Sequence, residues 1–94
     1  MLYMITFPLT SDLYAERVER FLATGALPPE GVNLLGRWFT LGHSAGYILV
    51  ETDQPGLIFS WTSEWADVVD FTVDAVITDQ EAGEILAAAA AEEE

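Results

Sequence analysis

No cysteine and no lysine occur in this chain of 94 residues, so disulfides, thiolate nucleophiles, cysteine-held zinc and iron–sulfur clusters are excluded together. The only cations are Arg17, Arg20 and Arg37, which face sixteen carboxylates and leave a formal charge of −13 at pH 7. Nucleic acid requires a surface that neutralises several phosphates at once, and three scattered arginines do not supply one; an anionic membrane is excluded for the same reason. The acidity reads first as a solvating surface of the kind that suits a saline setting, with a docking face for a basic partner as the alternative. No apolar run reaches the length of about 18 residues that a membrane span needs, and MLYMITFPLT has no basic stretch ahead of a long apolar one. Neither a span nor a signal peptide is therefore expected, and the default address is cytoplasmic. There is no P-loop, no G-x-G-x-x-G, and no G-x-S-x-G around Ser11, Ser44, Ser60 or Ser63.

What the chain has in abundance is apolar material: 51% hydrophobic residues, with three tryptophans, three tyrosines and five phenylalanines. A domain of this size hides only about 60 to 65% of its unfolded surface, which is too little to bury all of it. A second copy of the chain is the expected cover, so a homodimer is predicted.

Leu2 to Pro8 is β-prone and apolar at nearly every position, as in a strand covered on both sides. Thr10, Ser11 and Asp12 offer N-caps for a helix in which Tyr14, Val18, Phe21 and Leu22 turn inward and Glu16, Arg17, Glu19 and Arg20 outward, with Gly25 as its C-cap. After the turn-rich ALPPEG, strands are expected over 33–41 and 47–52, joined by a loop over 42–46. Thr52 or Asp53 can cap a second helix with Pro55 in its first turn and Leu57, Trp61 and Trp65 as its inward stripe. Val69 to Ile77 alternates as a fourth strand, and Thr78–Glu81 has capping-box spacing for a short third helix through Ala89. The order is ferredoxin-like, βαββαβ with a short C-terminal helix: an α+β domain over 1–91, followed by an acidic tail over 92–94 expected to be disordered. Two helices on one sheet face leave the other face bare. Two such sheets apposed would make a dimeric α/β barrel.

MLYM, RFLATGALPPEGVNLLGRW, YILVETDQP, W-x3-W-A-D-V-V-D-F and V-x2-V-I-T-D-Q-E-A, in that order across nearly the whole chain, resemble the family DUF3303. The resemblance implies a fold like that of the dimeric α/β barrel proteins and implies no established function. Many members carry histidine directly after GRW; Phe39 stands there in this chain, so no role of such a histidine transfers.

Five residues are candidates for a ligand site. Arg37, mid-strand, needs an anion: Glu51 on the neighbouring strand or another surface acid across the sheet in the plain reading, or the carboxylate of a ligand in the functional one, with Trp38 stacked on the ligand body and Trp61 or Trp65 as the far wall. The plain reading of Leu57, Trp61 and Trp65 is a helix face packing on its sheet. His43, the lone histidine, sits on the hairpin loop with no evident partner to orient its ring. Asp67, Asp70 and Asp74 make a poor metal site, since Asp70 and Asp74 on one strand face would stand about 13 Å apart. No metal and no cofactor is expected. The leading functional reading is a homodimeric module that binds a small, partly apolar or anionic molecule between sheet and helices. A cofactor-independent monooxygenase or isomerase, and a purely structural dimerisation protein, are the alternatives.

Overall fold

Residues 1–92 are described by a computed structural model. Strand β1 (Leu2–Pro8) lies between β3 (Ala45–Glu51) and β4 (Thr72–Val76), and β3 also pairs with β2 (Asn33–Phe39), giving one antiparallel sheet in the order β2-β3-β1-β4. Helix α1 (Tyr14–Thr24) joins β1 to β2, α2 (Gly56–Ser63) joins β3 to β4, and α3 (Asp79–Glu92) follows β4. The chain is thus α+β, with a four-stranded antiparallel sheet and three helices, and broadly of the ferredoxin-like class.

The register assigns each strand residue to one of two faces. Ile5 stands opposite Ile48 and Val73, and Tyr3 opposite Val50 and Ala75. Of this face Ile5, Phe7, Ile48 and Val50, with Tyr3 beside them, pack against Ile58, Trp61, Val68 and Val69, whereas Val73 and Ala75 on β4 stay exposed. The alternate residues Leu2, Met4, Tyr47, Leu49, Trp38 and Val76 form the other face, which no helix covers; Met4 and Leu49 are half-buried there, while Trp38 and Tyr47 are exposed. A bulge between Leu34 and Gly36 sets the register of β2, so that Gly36 meets Leu49 and Trp38 meets Tyr47.

Glycine is required where the sheet meets rings. A Cβ on Gly46 would come within 2.2 Å of the buried Phe7 ring, and one on Gly36 within 2.2 Å of Trp38. Each ring occupies the space over a glycine of its own face.

Several boundaries differ from the sequence expectation for identifiable reasons. Strand β2 ends at Phe39 rather than Leu41, because the Thr40 hydroxyl accepts from the backbone N–H groups of Ser44 and Ala45 and draws the chain into its turn. Strand β4 starts at Thr72 rather than Val69, since the N–H groups of Val68 and Val69 both donate to Trp65 O and close a helical turn after α2. None of Thr10, Ser11 and Asp12 caps α1: a 3₁₀ turn over Ser11–Leu13 leads in, and Leu13 at the N-cap supplies no side-chain bond. Nor does Thr52 or Asp53 cap α2 by a side-chain bond at its N-cap, Pro55. The Thr52 hydroxyl instead donates to Gly31 O and accepts from Gln54 N. Gly25 does end α1, in the left-handed region at φ 72°.

Helix α3 runs to Glu92, past the expected end at Ala89, because Ala87 to Ala91 is the best helix-forming run in the chain. Its start is as expected, with Glu81 N donating to the Thr78 hydroxyl. Glu92, assigned to the acidic tail, is therefore helical, and positions 93 and 94 lie outside the described residues. No residue of α3 is buried, and Ile85 and Leu86 are exposed. The helix projects, which accounts for a long dimension of 58 Å and a radius of gyration of 16.6 Å, where a compact chain of this length would have about 12 Å.

Candidate functional site

Between the covered sheet face and helices α1 and α2 lies a cavity of about 370 Å³. Phe7, Phe39 and Phe71 line it from the sheet side, Phe21 from α1, and Trp61 and Trp65 from α2 and the turn after it. The rings meet edge to face: Phe7 with Phe71 at 5.6 Å, Phe21 with Phe39 at 5.9 Å, and Phe7 with Phe39 at 6.4 Å between centroids. Tyr14 and His43, also edge to face at 6.0 Å, belong to the same wall.

Two arginines interrupt this apolar lining. Arg17, expected to face outward, is the one buried residue of α1, only 8% exposed. Its Nε donates to Val68 O at 2.7 Å, its Nη1 to Thr10 O, and its Nη2 to the Thr10 hydroxyl at 2.7 Å. The guanidinium thereby replaces the missing helix cap as the link between β1, α1 and the segment before β4. Sequence reading missed it because charge was weighed above position: Arg17 is three residues after Tyr14 and four before Phe21, on the same helical stripe. Asp12 stands within range of its charge. The Thr10 hydroxyl chiefly, and Arg17 to a lesser degree, hold the Asp12 carboxyl below its usual range.

Arg37 lines the cavity from β2, and its partner is not Glu51. Its Nη1 donates to Ala26 O at 2.7 Å and its Nη2 to Gly25 O at 3.0 Å, so it sits at the negative pole of α1 with its guanidinium 5.1 Å from the Phe21 ring centroid. Ala26 offers its carbonyl from a left-handed conformation at φ 46°, which an L residue adopts at some cost. Burial pushes the Arg37 guanidinium below its ordinary pKa.

The structure brings together three of the five sequence candidates. Arg37, Trp61 and Trp65 line the cavity. Trp38, next to Arg37 in a strand, is by that adjacency on the open face and cannot stack on a molecule held by Arg37 from the covered side. Glu51 lies at the far end of β3, beside Asn33 and Thr52, in a shallow polar depression.

Arg20 is the surface counterpart. It meets both Asp67 oxygens at 2.8 Å, Glu64 O at 3.1 Å and the Trp65 ring at 5.4 Å, and Glu16 at 3.6 Å. Asp67 is thus engaged by an arginine, and among the described residues no group of three His, Asp or Glu side chains could hold a metal ion. Nor is any helix among them long and apolar enough to cross a membrane.

The comparisons with curated proteins and with solved structures each return no match. A family model does match, over residues 1–90, and so takes in both sheet faces, the cavity and most of α3. The chain belongs to the family described as a domain of unknown function, DUF3303.

Proposed function

We propose that the protein is a small homodimeric module that binds a small, largely apolar molecule in the cavity between sheet and helices. The observation that carries this reading is the cavity itself. Its volume of about 370 Å³ falls within the range of about 300 to 1,000 Å³ typical of small-molecule sites, and a core that had simply closed would not keep it. The walls are aromatic and the polar groups few, the composition expected where apolar burial supplies affinity and one or two polar contacts supply orientation.

The test is a neutral fluorescent probe, N-phenyl-1-naphthylamine. Saturable enhancement at one site per chain is expected. It should vanish in Val18→Trp, which grows into the cavity from α1, while far-ultraviolet circular dichroism stays unchanged. Enhancement that never saturates, or that survives Val18→Trp, would contradict the reading.

Two features support a second copy of the chain as the cover of the open face. Trp38 is 54% and Tyr47 42% exposed there, beside Met4 and Leu49. Helix α3 carries Ile85 and Leu86, 55% and 69% exposed, and has no buried residue. A free helix of this length is marginal in water without tertiary packing. Four strands of five residues present a footprint of roughly 300 Å². A helix of this length adds a strip of about 200 Å². With side-chain relief the two approach the ~800 Å² per partner of a standard interface. Both features occur on every copy, so a twofold arrangement satisfies both partners at once. A pair of apposed sheets would be the dimeric α/β barrel.

The cofactor-independent monooxygenase or isomerase is the weaker reading. Besides the two arginines, the titratable groups on the cavity wall among the described residues are Tyr14 and His43, and none of those residues brings a carboxylate to it.

A further inference from the structure

The three arginines differ in how their charge is met. Arg20, on the surface, has Asp67 and Glu16. Arg17, in the cavity wall, has its Nε and both Nη atoms committed to Val68 and Thr10, and Asp12 lies within range of its charge. Arg37 has neither. It spends one N–H of each Nη on a backbone carbonyl, while Nε and the second proton of each Nη meet no acceptor among the described residues. No carboxylate among them comes within 4 Å of it, in a chain that has sixteen. A partly desolvated guanidinium met only by dipoles is an incomplete ion site.

We infer that the cavity takes a planar aromatic monocarboxylate, its carboxylate on Arg37 and its ring among Phe7, Phe21, Phe39 and Trp61. This rests on the cavity being a ligand site. A carboxylate matches the planar fork of a guanidinium, and the edge-to-face rings of the wall offer the geometry that a further aromatic ring prefers. The ligand carries a single charge because a single cation is free to meet it. Arg17 is already committed, and the formal charge of −13 disfavours a dianion.

Three ligands with one ring system test this by isothermal titration at pH 7: 2-naphthoate, the neutral and nearly isosteric 2-naphthamide, and the dianionic 2-naphthyl phosphate. Naphthoate is expected to bind roughly tenfold or more tighter than naphthamide, with naphthyl phosphate weaker than naphthoate. In Arg37→Met the preference for naphthoate should fall to within about twofold, and in Arg37→Lys part of it should remain. Should Arg37→Met fail to fold, the wild type still decides: at saturation the Arg37 Nε–Hε proton should move downfield with naphthoate, as in a guanidinium–carboxylate pair, and not with naphthamide. Equal binding of naphthoate and naphthamide would overturn the carboxylate assignment while leaving the cavity reading intact. Tighter binding of the phosphate would overturn the single charge. If neither naphthyl ligand nor N-phenyl-1-naphthylamine binds, both readings fall.

Discussion

The two faces of the sheet are built from alternate residues of the same strands, yet they pose different physical problems. On the covered face Ile5, Ile48 and Val50 are buried by the chain's own helices, and the space left over is a cavity rimmed by rings. On the open face Met4, Leu49, Tyr47 and Trp38 have the same apolar character, yet none is fully buried. One face is largely buried by helices of its own chain, and the other keeps Trp38 and Tyr47 exposed. A strand such as β1, apolar on both sides, serves both purposes at once.

The largest effect is expected in the core. Ile5→Ala should cost about 2 to 5 kcal/mol in urea unfolding, because Ile5 is fully buried and its neighbours cannot collapse into the space. Met4→Ala, one residue along and on the other face, should cost less in dilute protein, with a penalty that grows with protein concentration as the open face is covered. Equal, concentration-independent costs would mean that the open face is not an interface.

The paired glycines sharpen the contrast. Gly46→Ala drives a methyl group into the buried Phe7 ring and should destabilise by about 1 to 3 kcal/mol. Gly36→Ala makes an equally close approach to Trp38, but that ring is half exposed and can swing away, so the cost should stay below about 1 kcal/mol. On the open face Trp38→Glu should leave the monomer's thermal unfolding nearly unchanged and convert a dimer to a monomer in sedimentation equilibrium. A wild-type monomer at tens of micromolar would contradict the dimer outright.

The smallest effect belongs to the surface clamp. Hydrogen bonds from Arg20 hold the Asp67 carboxyl below its usual range, so the native state favours its ionised form. That contribution is fully present above the ordinary carboxylate pKa of about 4 and is lost as pH falls through the lowered native value. Asp67→Asn should therefore flatten the acid limb of a stability-against-pH curve and change little at neutral pH, Arg20 and Asp67 both being solvent-accessible.

Period and punctuation in the sequence were enough for the element order, the two-faced sheet, Gly25 as the end of α1 and Thr78 at the start of α3. The site was only partly readable. Trp61 could be placed inward because it shares a helical stripe with Leu57. Arg17 could not, because its burial depends on acceptors at Thr10 and Val68, one seven residues away and the other fifty-one. Arg37 was assigned to Glu51 because a carboxylate on the next strand is the obvious partner in one dimension. The carbonyls that hold it, at Gly25 and Ala26, come into reach only when α1 packs over β2. The length of α3 was underestimated because three negative charges at a helix C-terminus were weighed more heavily than five alanines in a row.

Three tryptophans report on the two faces separately: Trp61 and Trp65 line the cavity and Trp38 lies on the open face. Heteronuclear NMR of the indole N–H groups therefore tests the division directly. Titration with 2-naphthoate should shift the Trp61 and Trp65 signals and leave Trp38 in place, whereas dilution through dimer dissociation should shift Trp38 and leave the other two. A Trp38 signal that follows the ligand, with Trp61 and Trp65 unmoved, would contradict the account.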